Sequence, residues 1–246
     1  MAGNTKQAGA SVTSRVLAVL ETFDVTHQQL TLTEIARRAE LPVATVHRLL
    51  SELERWRAVE RGADGRYRIG LRLWEVGSLA SARMQLREAA MPYLHALHEA
   101  TRAHVFIAVA DGADAVYVER FGPHQLRAGS PEARRLRQPL DRSAAGLALL
   151  AYQGESRRRG PAPRSQLLDA TLRKVRRQGY AALTDRTDTG LQTIAVPVLR
   201  PSGRAEAALG LSARATAGLG QWREPLLSAA SGMQRVLLGR VDDEPA

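Results

Sequence analysis

Between Thr33 and Arg57 the chain reads TEIARRAELPVATVHRLLSELERWR, and this stretch restricts the possible folds more than any other. Its spacing predicts two short helices with a tight break between them. Ile35, Ala36 and Ala39 give the first an apolar stripe, Thr33 is its candidate N-cap, and Glu34 lies at the positive end of the helix dipole. Leu41-Pro42 ends that helix, since the residue before a proline is pushed out of the α region. Pro42 then suits the opening turn of the next helix. There Val46, Leu49, Leu50, Leu53 and Trp56 recur at helical spacing and are expected to face inward. The other face carries Ala44, Thr45, His47, Arg48 and Ser51 toward its N-terminal end, where a recognition helix meets base edges in a major groove. On its own the stretch is also compatible with a plain antiparallel helix pair and a solvated Arg48.

The residues that follow favour a DNA reader. Val59-Glu60-Arg61, Ala63-Asp64-Gly65 and Arg66-Tyr67-Arg68-Ile69 form two alternating runs around Asp-Gly, a strong hairpin signal. Helix, turn, helix and basic hairpin in that order make a winged helix-turn-helix. Arg61, Arg66 and Arg68 are placed to meet phosphates or to enter a minor groove. The expected DNA-facing set is therefore Thr33, Ala44, Thr45, His47, Arg48, Ser51, Arg61, Arg66 and Arg68.

The net charge of +10 invites the same conclusion but supports it weakly. Residues 1–83 hold roughly 12 basic and 9 acidic side chains, about +3, and residues 84–246 roughly 23 and 16, about +7. Most of the excess lies outside the reader, so local placement of arginine matters more than bulk charge. The chain has no cysteine, which excludes disulfides, thiol nucleophiles and cysteine-based zinc sites. No apolar run is long enough to span a bilayer, and MAGNTKQAGAS reads as a disordered tail with no signal-peptide core. A cytoplasmic location is expected.

Before the motif, Ser11 to Asp24 reads as a helix capped by Ser11 or Thr13, with Val12, Val16, Leu17, Val19, Leu20 and Phe23 as its buried stripe. After the hairpin, Leu71 to Arg83 reads as a connecting helix with Leu73, Trp74, Val76 and Ala80 on its apolar side. With the helix at 11–24 it is the candidate dimer contact, because a single winged helix covers only a short half-site. From Met84 the pattern changes. Helices are expected at 86–100, 143–152, 165–178 and 221–238, and strands at 104–110, 115–121, 180–183, 192–199 and 206–213. Tight turns at Asp111-Gly112 and Pro201-Ser202-Gly203 suggest an antiparallel sheet with helices to one side. Ser143 or Asp141 caps the helix at 143, and Gly179 stops the helix before it in a left-handed conformation. The expected division is a tail over 1–10, a winged helix-turn-helix over 11–70, a linker helix over 71–83 and an α/β part over 84–240.

With these blocks placed, the chain resembles bacterial transcription regulators of the IclR (isocitrate-lyase-regulator) type over nearly its whole length. The residues that carry the resemblance are LTLTEIARRAELPVATVHRLLSELE (30–54), GRYRIGLRLWEVG (65–77), PLDRSAAGLALLA (139–151), RRQGYA (176–181), TGLQTIAVPV (189–198) and AALGLS (207–212). The resemblance implies an α+β chain. Its N-terminal winged helix-turn-helix would be joined by a helix to a C-terminal GAF-like domain that binds a small effector. It also implies homodimers or homotetramers on inverted-repeat operators of double-stranded DNA, with no cofactor. In such proteins the effector lies between the sheet and the start of the helix after the PL block. Carried onto this chain, the effector-binding residues are Ser143, Ala144, Ala145, Leu183, Asp185, Thr193, Gly210 and Ser212. Members that sense small carboxylic acids commonly have an acid at Leu183, several have cysteine at Thr193, and Gly210-Leu211-Ser212 replaces a Ser-Ile-Ser strand motif. The lining here suits a largely apolar or aromatic ligand with one polar end better than a small dicarboxylate.

Two rival readings remain on the sequence. A ligand-independent DNA-binding protein would need no second part of this length. A metal-dependent enzyme would draw on His95, His98, Glu99 and His104, but no HExxH or other fixed motif surrounds them. Ser143 lacks a G-x-S-x-G elbow, and no glycine cluster forms a phosphate-binding loop. No catalytic or metal residue is therefore assigned.

Overall fold

The structure is a computed structural model that describes residues 11–24, 26–122, 136–153, 165–184, 191–214 and 219–241. The chain divides into two compact units, Met1–Ser81 and Ala82–Ala246. The 1–10 tail and Asp185 lie outside the described residues.

In the first unit three helices, α1 (Val12–Leu20), α2 (Leu32–Arg38) and α3 (Val43–Arg55), precede a hairpin of β1 (Val59–Arg61) and β2 (Tyr67–Ile69). Val19, Leu30, Ile35, Ala36, Val46, Leu49, Leu50, Val59 and Tyr67 share one buried core. Ser11 caps α1 by accepting the Ser14 N–H. The cap of α2 is Thr31, not Thr33. Thr31 is extended, its hydroxyl accepts the Glu34 N–H, and the Glu34 carboxylate reaches back to the Thr31 backbone. This reciprocal box satisfies two orphan donors, so the cap lies two residues before the expected one, and Thr33 is an exposed first-turn residue. The helix also ends before Leu41. Glu40 turns left-handed at φ 53°, and the Leu41 N–H bonds the Ala36 carbonyl, which closes a Schellman turn.

Asp64-Gly65 forms the hairpin turn with Gly65 at φ 75°, and Val59, Glu60 and Arg61 pair with Ile69, Arg68 and Tyr67. Leu30 adds a two-bond bridge to Tyr67. Three apolar residues expected inside are not: Val12, Leu17 and Trp56 are exposed. Trp56 lies beyond the last turn of α3, where the Arg72 guanidinium sits 5.6 Å from its ring. The expected helix over 71–83 is broken. Helix α4 (Leu71–Ser78) ends where Gly77 weakens it and the Ser78 hydroxyl takes the Glu75 carbonyl. Leu79 and Ala80 follow in tight turns, and α5 (Ser81–Thr101) starts afresh.

In the second unit α5 leads into β3 (His104–Asp111), β4 (Asp114–Phe121) and β5 (Arg137–Pro139). Then come α6 (Ala144–Ala151), α7 (Gln166–Gln178), β6 (Ala181–Thr184), β7 (Leu191–Leu199), β8 (Ala205–Arg214) and α8 (Arg223–Val241). The six strands form one antiparallel sheet in the order β5-β4-β3-β8-β7-β6. Helices cover both faces of it, not one. The central strands are apolar on both sides, and each side must be covered. Val105, Ile107, Ile194, Val196, Leu209 and Leu211 pack with Leu94 of α5 and Leu226 and Met233 of α8. Phe106, Ala108, Ala195 and Ala208 face the other way, toward α6 and Leu172 and Val175 of α7. All eight residues of α6 are buried, the state expected of a helix that is apolar all round.

Candidate nucleic-acid interface and ligand-binding face

Helix α3 is strongly two-sided. Val46, Leu49 and Leu50 are buried, while Ala44, His47, Arg48 and Ser51 are exposed and Thr45 is half-buried. The Ser51 hydroxyl donates to the His47 carbonyl at 3.0 Å, so part of its capacity is already used. Among the described residues no carboxylate lies within ion-pair distance of Arg48. Val43, the first helical residue, is 47% exposed and was missed by the sequence reading. It reads as one more apolar residue of the motif, yet on this face it suits a thymine methyl group.

Helix α2 is anchored behind α3. Arg38 donates to the Asp24 carboxylate at 2.8 Å and to the Thr22 carbonyl at 3.0 Å. Burial pushes the Asp24 pKa up, but hydrogen bonds from Thr26 and the neighbouring His27 outweigh it and hold the carboxyl well below its usual range. The Glu34 carboxyl is likewise held low by the Thr31 backbone N–H and hydroxyl, with Arg66 adding its charge.

The three wing arginines are not equivalent. Arg68 places Nε and Nη2 on Glu60 Oε2, at 3.0 and 2.9 Å. Arg66 donates to Glu34 Oε2 at 3.2 Å and to the Gln29 carbonyl at 3.4 Å. Arg61 lies over the Tyr67 ring at 5.5 Å, and no described carboxylate pairs with it. A phosphate must compete with Glu60 and Glu34 for the first two, and only with water and a ring for Arg61. Arg61→Ala is expected to make the negative slope of log affinity against log salt shallower by about one, and Arg66→Ala by less. Binding titrations at several salt concentrations check this, and equal slopes for both variants would contradict it.

On the α6 face of the second unit the register brings Leu183, Thr193, Ser212 and His104 into one row across β6, β7, β8 and β3. Thr193 and Ser212 share a hydrogen bond of 2.8 Å between their hydroxyls. In the adjacent row Gly210 lies beside Ala195 and Phe106. A Cβ at Gly210 would fall 2.3 Å from the Phe106 ring, so close packing already accounts for this glycine. Ser143 caps α6, accepting the Gly146 N–H at 3.1 Å and donating to the Pro139 carbonyl at 2.9 Å. Ala144 and Ala145 are buried beside it in the core shared by α6 and the sheet.

Four residues of this face escaped the sequence reading: Phe106, Tyr117, Arg120 and Gln138. Tyr117 meets Phe106 edge to face at 5.1 Å, its hydroxyl donates to Gln138 Oε1 at 2.9 Å, and the Arg120 guanidinium carbon lies over its ring, 4.1 Å from the centre. Burial pushes the Tyr117 phenol up to about 12, with Arg120 opposing. Their positions come from the pairing of β3, β4 and β5, which no short-range pattern encodes.

The histidines of the metal alternative have other partners. The rings of His95 and His98 pack on Phe121 at 4.8 and 5.4 Å, and His98 Nδ1 lies 2.8 Å from the Ala103 carbonyl. Among the described residues no helix is long and apolar enough to cross a membrane.

Comparison with known proteins meets this geometry at both units. The model of the IclR helix-turn-helix domain matches residues 12–63, and that of the bacterial transcriptional regulator IclR C-terminal domain matches residues 79–231. The chain is similar to the HTH-type transcriptional regulator XynR of Escherichia coli, 30% identical over 243 residues, covering 91% of this chain and 95% of the relative. It is also similar to the Pca regulon regulatory protein of Pseudomonas putida, 28% identical over 216 residues, covering 81% and 72%. Among solved structures it resembles an IclR homolog from Microbacterium hydrocarbonoxydans complexed with 4-hydroxybenzoate. That match has a TM-score of 0.80 and 33% identity and covers 93% of this chain and 100% of the other.

Proposed function

The chain belongs to the IclR family of bacterial transcription regulators, and from that premise we propose how it reads DNA and what controls the reading. A pair of chains binds an approximately palindromic operator. Each chain presents α3 to a major groove, with Ala44, Thr45, His47, Arg48 and Ser51 toward the bases and Thr33 near the backbone. The wing reaches phosphates through Arg61, with Arg66 and Arg68 behind it. The observation that carries this reading is the exposed face of α3, with Arg48 clear of every described carboxylate.

A second copy is supported by apolar side chains left exposed in the first unit. Val12 on α1, Leu71 and Trp74 on α4, and Leu79 are all more than 60% exposed, and a soluble chain rarely leaves so many large apolar groups open without a partner. Such a reader acts where a bacterium keeps its chromosome, in the cytoplasm.

The effector is a small aromatic metabolite held on the α6 face by Leu183, Thr193, Gly210 and Ser212, near Ser143, Ala144 and Ala145; Asp185, next after β6 in the sequence, is assigned to the same site. Support comes from the alanine-rich, weakly polar lining and from the similar structure crystallised with 4-hydroxybenzoate.

Selection of operator fragments from genomic DNA, followed by footprinting with and without 4-hydroxybenzoate, tests the reading. The expected result is a two-fold symmetric footprint whose occupancy changes with the aromatic acid, from a protein that sediments as a dimer or larger. An asymmetric footprint from a monomer would overturn the assembly. An occupancy indifferent to a panel of aromatic metabolites would overturn the effector.

A further inference from the structure

The reading of the α6 face as the effector site leaves open how the polar end of the ligand is recognised. The residues carried over from the family offer hydroxyls there, and none of them that the structure describes is charged. Arg120, on β4, brings a cation to this face. Arg120 pairs with Phe106 in the sheet register, in the row that continues through Gly210 and Ala195. Its guanidinium carbon lies 4.1 Å from the centre of the Tyr117 ring, and its Nε is shielded from solvent. Tyr117 is in turn held by Phe106 and by its bond to Gln138.

We propose that Arg120 is the anion-recognising residue of the effector site. It takes the carboxylate of an aromatic acid whose ring packs beside Phe106 on the floor of small residues.

The physical argument has three parts. A guanidinium is planar and carries the donors at its edge in a fixed fork, and the Tyr117 ring lies against it at 4.1 Å. A carboxylate matches that fork with two parallel bonds, in exchange with the contacts the side chain already makes. The surroundings on this face are rings and alanines, where a charge pair is screened less than at a wet surface. Lysine cannot replace this arrangement, because an ammonium is a point charge with no plane to match.

Calorimetric titration of the full-length protein with 4-hydroxybenzoate and with its neutral isostere 4-hydroxybenzamide tests the assignment. The acid is expected to bind roughly tenfold or more tighter than the amide, as losing a charge-assisted bidentate bond implies. In Arg120→Gln the two affinities should converge through weakening of the acid. Arg120→Lys should restore only part of the preference. Folding of each variant is read from its circular dichroism spectrum and thermal melting, and if Arg120→Gln does not fold, the acid-to-amide ratio of the parent and of Arg120→Lys decides.

Equal binding of acid and amide by the parent would overturn the role of Arg120 while leaving an aromatic effector in place. So would an undiminished preference in Arg120→Gln. Failure of both compounds, and of the wider panel of aromatic metabolites, to bind the parent would overturn the aromatic effector and Arg120's role together.

Discussion

Replacing Arg48 by alanine is expected to cost about 1–3 kcal/mol of operator affinity, roughly 5-fold to 160-fold, if the side chain makes a bidentate base contact. The chain of reasoning is short. Val46, Leu49 and Leu50 lock one face of α3 into the core, so rotation of the helix is fixed and Arg48 must project outward. Helix α2 behind it is held by the Thr31–Glu34 box and by the Arg38–Asp24 pair, so the angle of α3 is not free to drift. Arg48 has no described carboxylate to leave, and its full donor set is available to a guanine edge. Affinities for the operator and for unrelated DNA at one salt concentration provide the check. The loss should fall mainly on the operator. A loss of equal size on both would make Arg48 a phosphate contact, and no loss on either would remove it from the interface.

The second large effect is expected from Gly146→Ala, about 3 kcal/mol or more of lost stability in the second unit. A Cβ at this position would lie 2.2 Å from the Leu140 carbonyl oxygen and 2.3 Å from the Leu140 Cα. These are backbone atoms in the segment that turns from β5 into α6, so neither can swing aside as a side-chain end would. The Gly146 N–H also bonds the Ser143 hydroxyl, and moving the helix start away from Leu140 strains that cap as well. Thermal melting followed by circular dichroism should show the second unit weakened by about 2–4 °C per kcal/mol, as for domains of this size. An unchanged melting temperature would mean that Leu140 gives way. For the same reason a bulky replacement at Ala145, which is fully buried in that core, probes packing and not ligand binding.

The order of the elements was legible because their signals are short-range. Asp64-Gly65 between alternating runs fixed the wing, Gly179 ended α7 at φ 81°, and Ser143 capped α6 as expected. The Thr31-x-x-Glu34 box was also written in the chain. Choosing Thr33 overlooked that the two capping bonds require a three-residue spacing. Sequence blocks in a fixed order likewise pointed to the family, since spacing survives where individual residues diverge.

Contacts between elements distant in the chain had to come from the tertiary structure. Both faces of the sheet are buried because its central strands are apolar on both sides, and periodicity alone does not say how many helices cover a strand. Trp56 sits in an apolar pattern but falls past the last turn of α3, where the chain turns left-handed at Arg57, φ 60°, and leaves the ring outside. The register that aligns Leu183, Thr193, Ser212 and His104 is a property of four strands from across the unit.

The same holds for charge. From the sequence Arg48, Arg61, Arg66, Arg68 and Arg120 are five similar cations. The fold gives Arg66 to Glu34, Arg68 to Glu60 and Arg120 to the face of Tyr117, and leaves Arg48 and Arg61 on the surface without a described carboxylate. Pairing energy falls steeply with distance and dielectric. Which arginine is tied to a carboxylate, which lies on a ring and which is left open on the surface is therefore decided by proximity in space, while the sequence by itself determined only that a winged reader and an α/β partner would form.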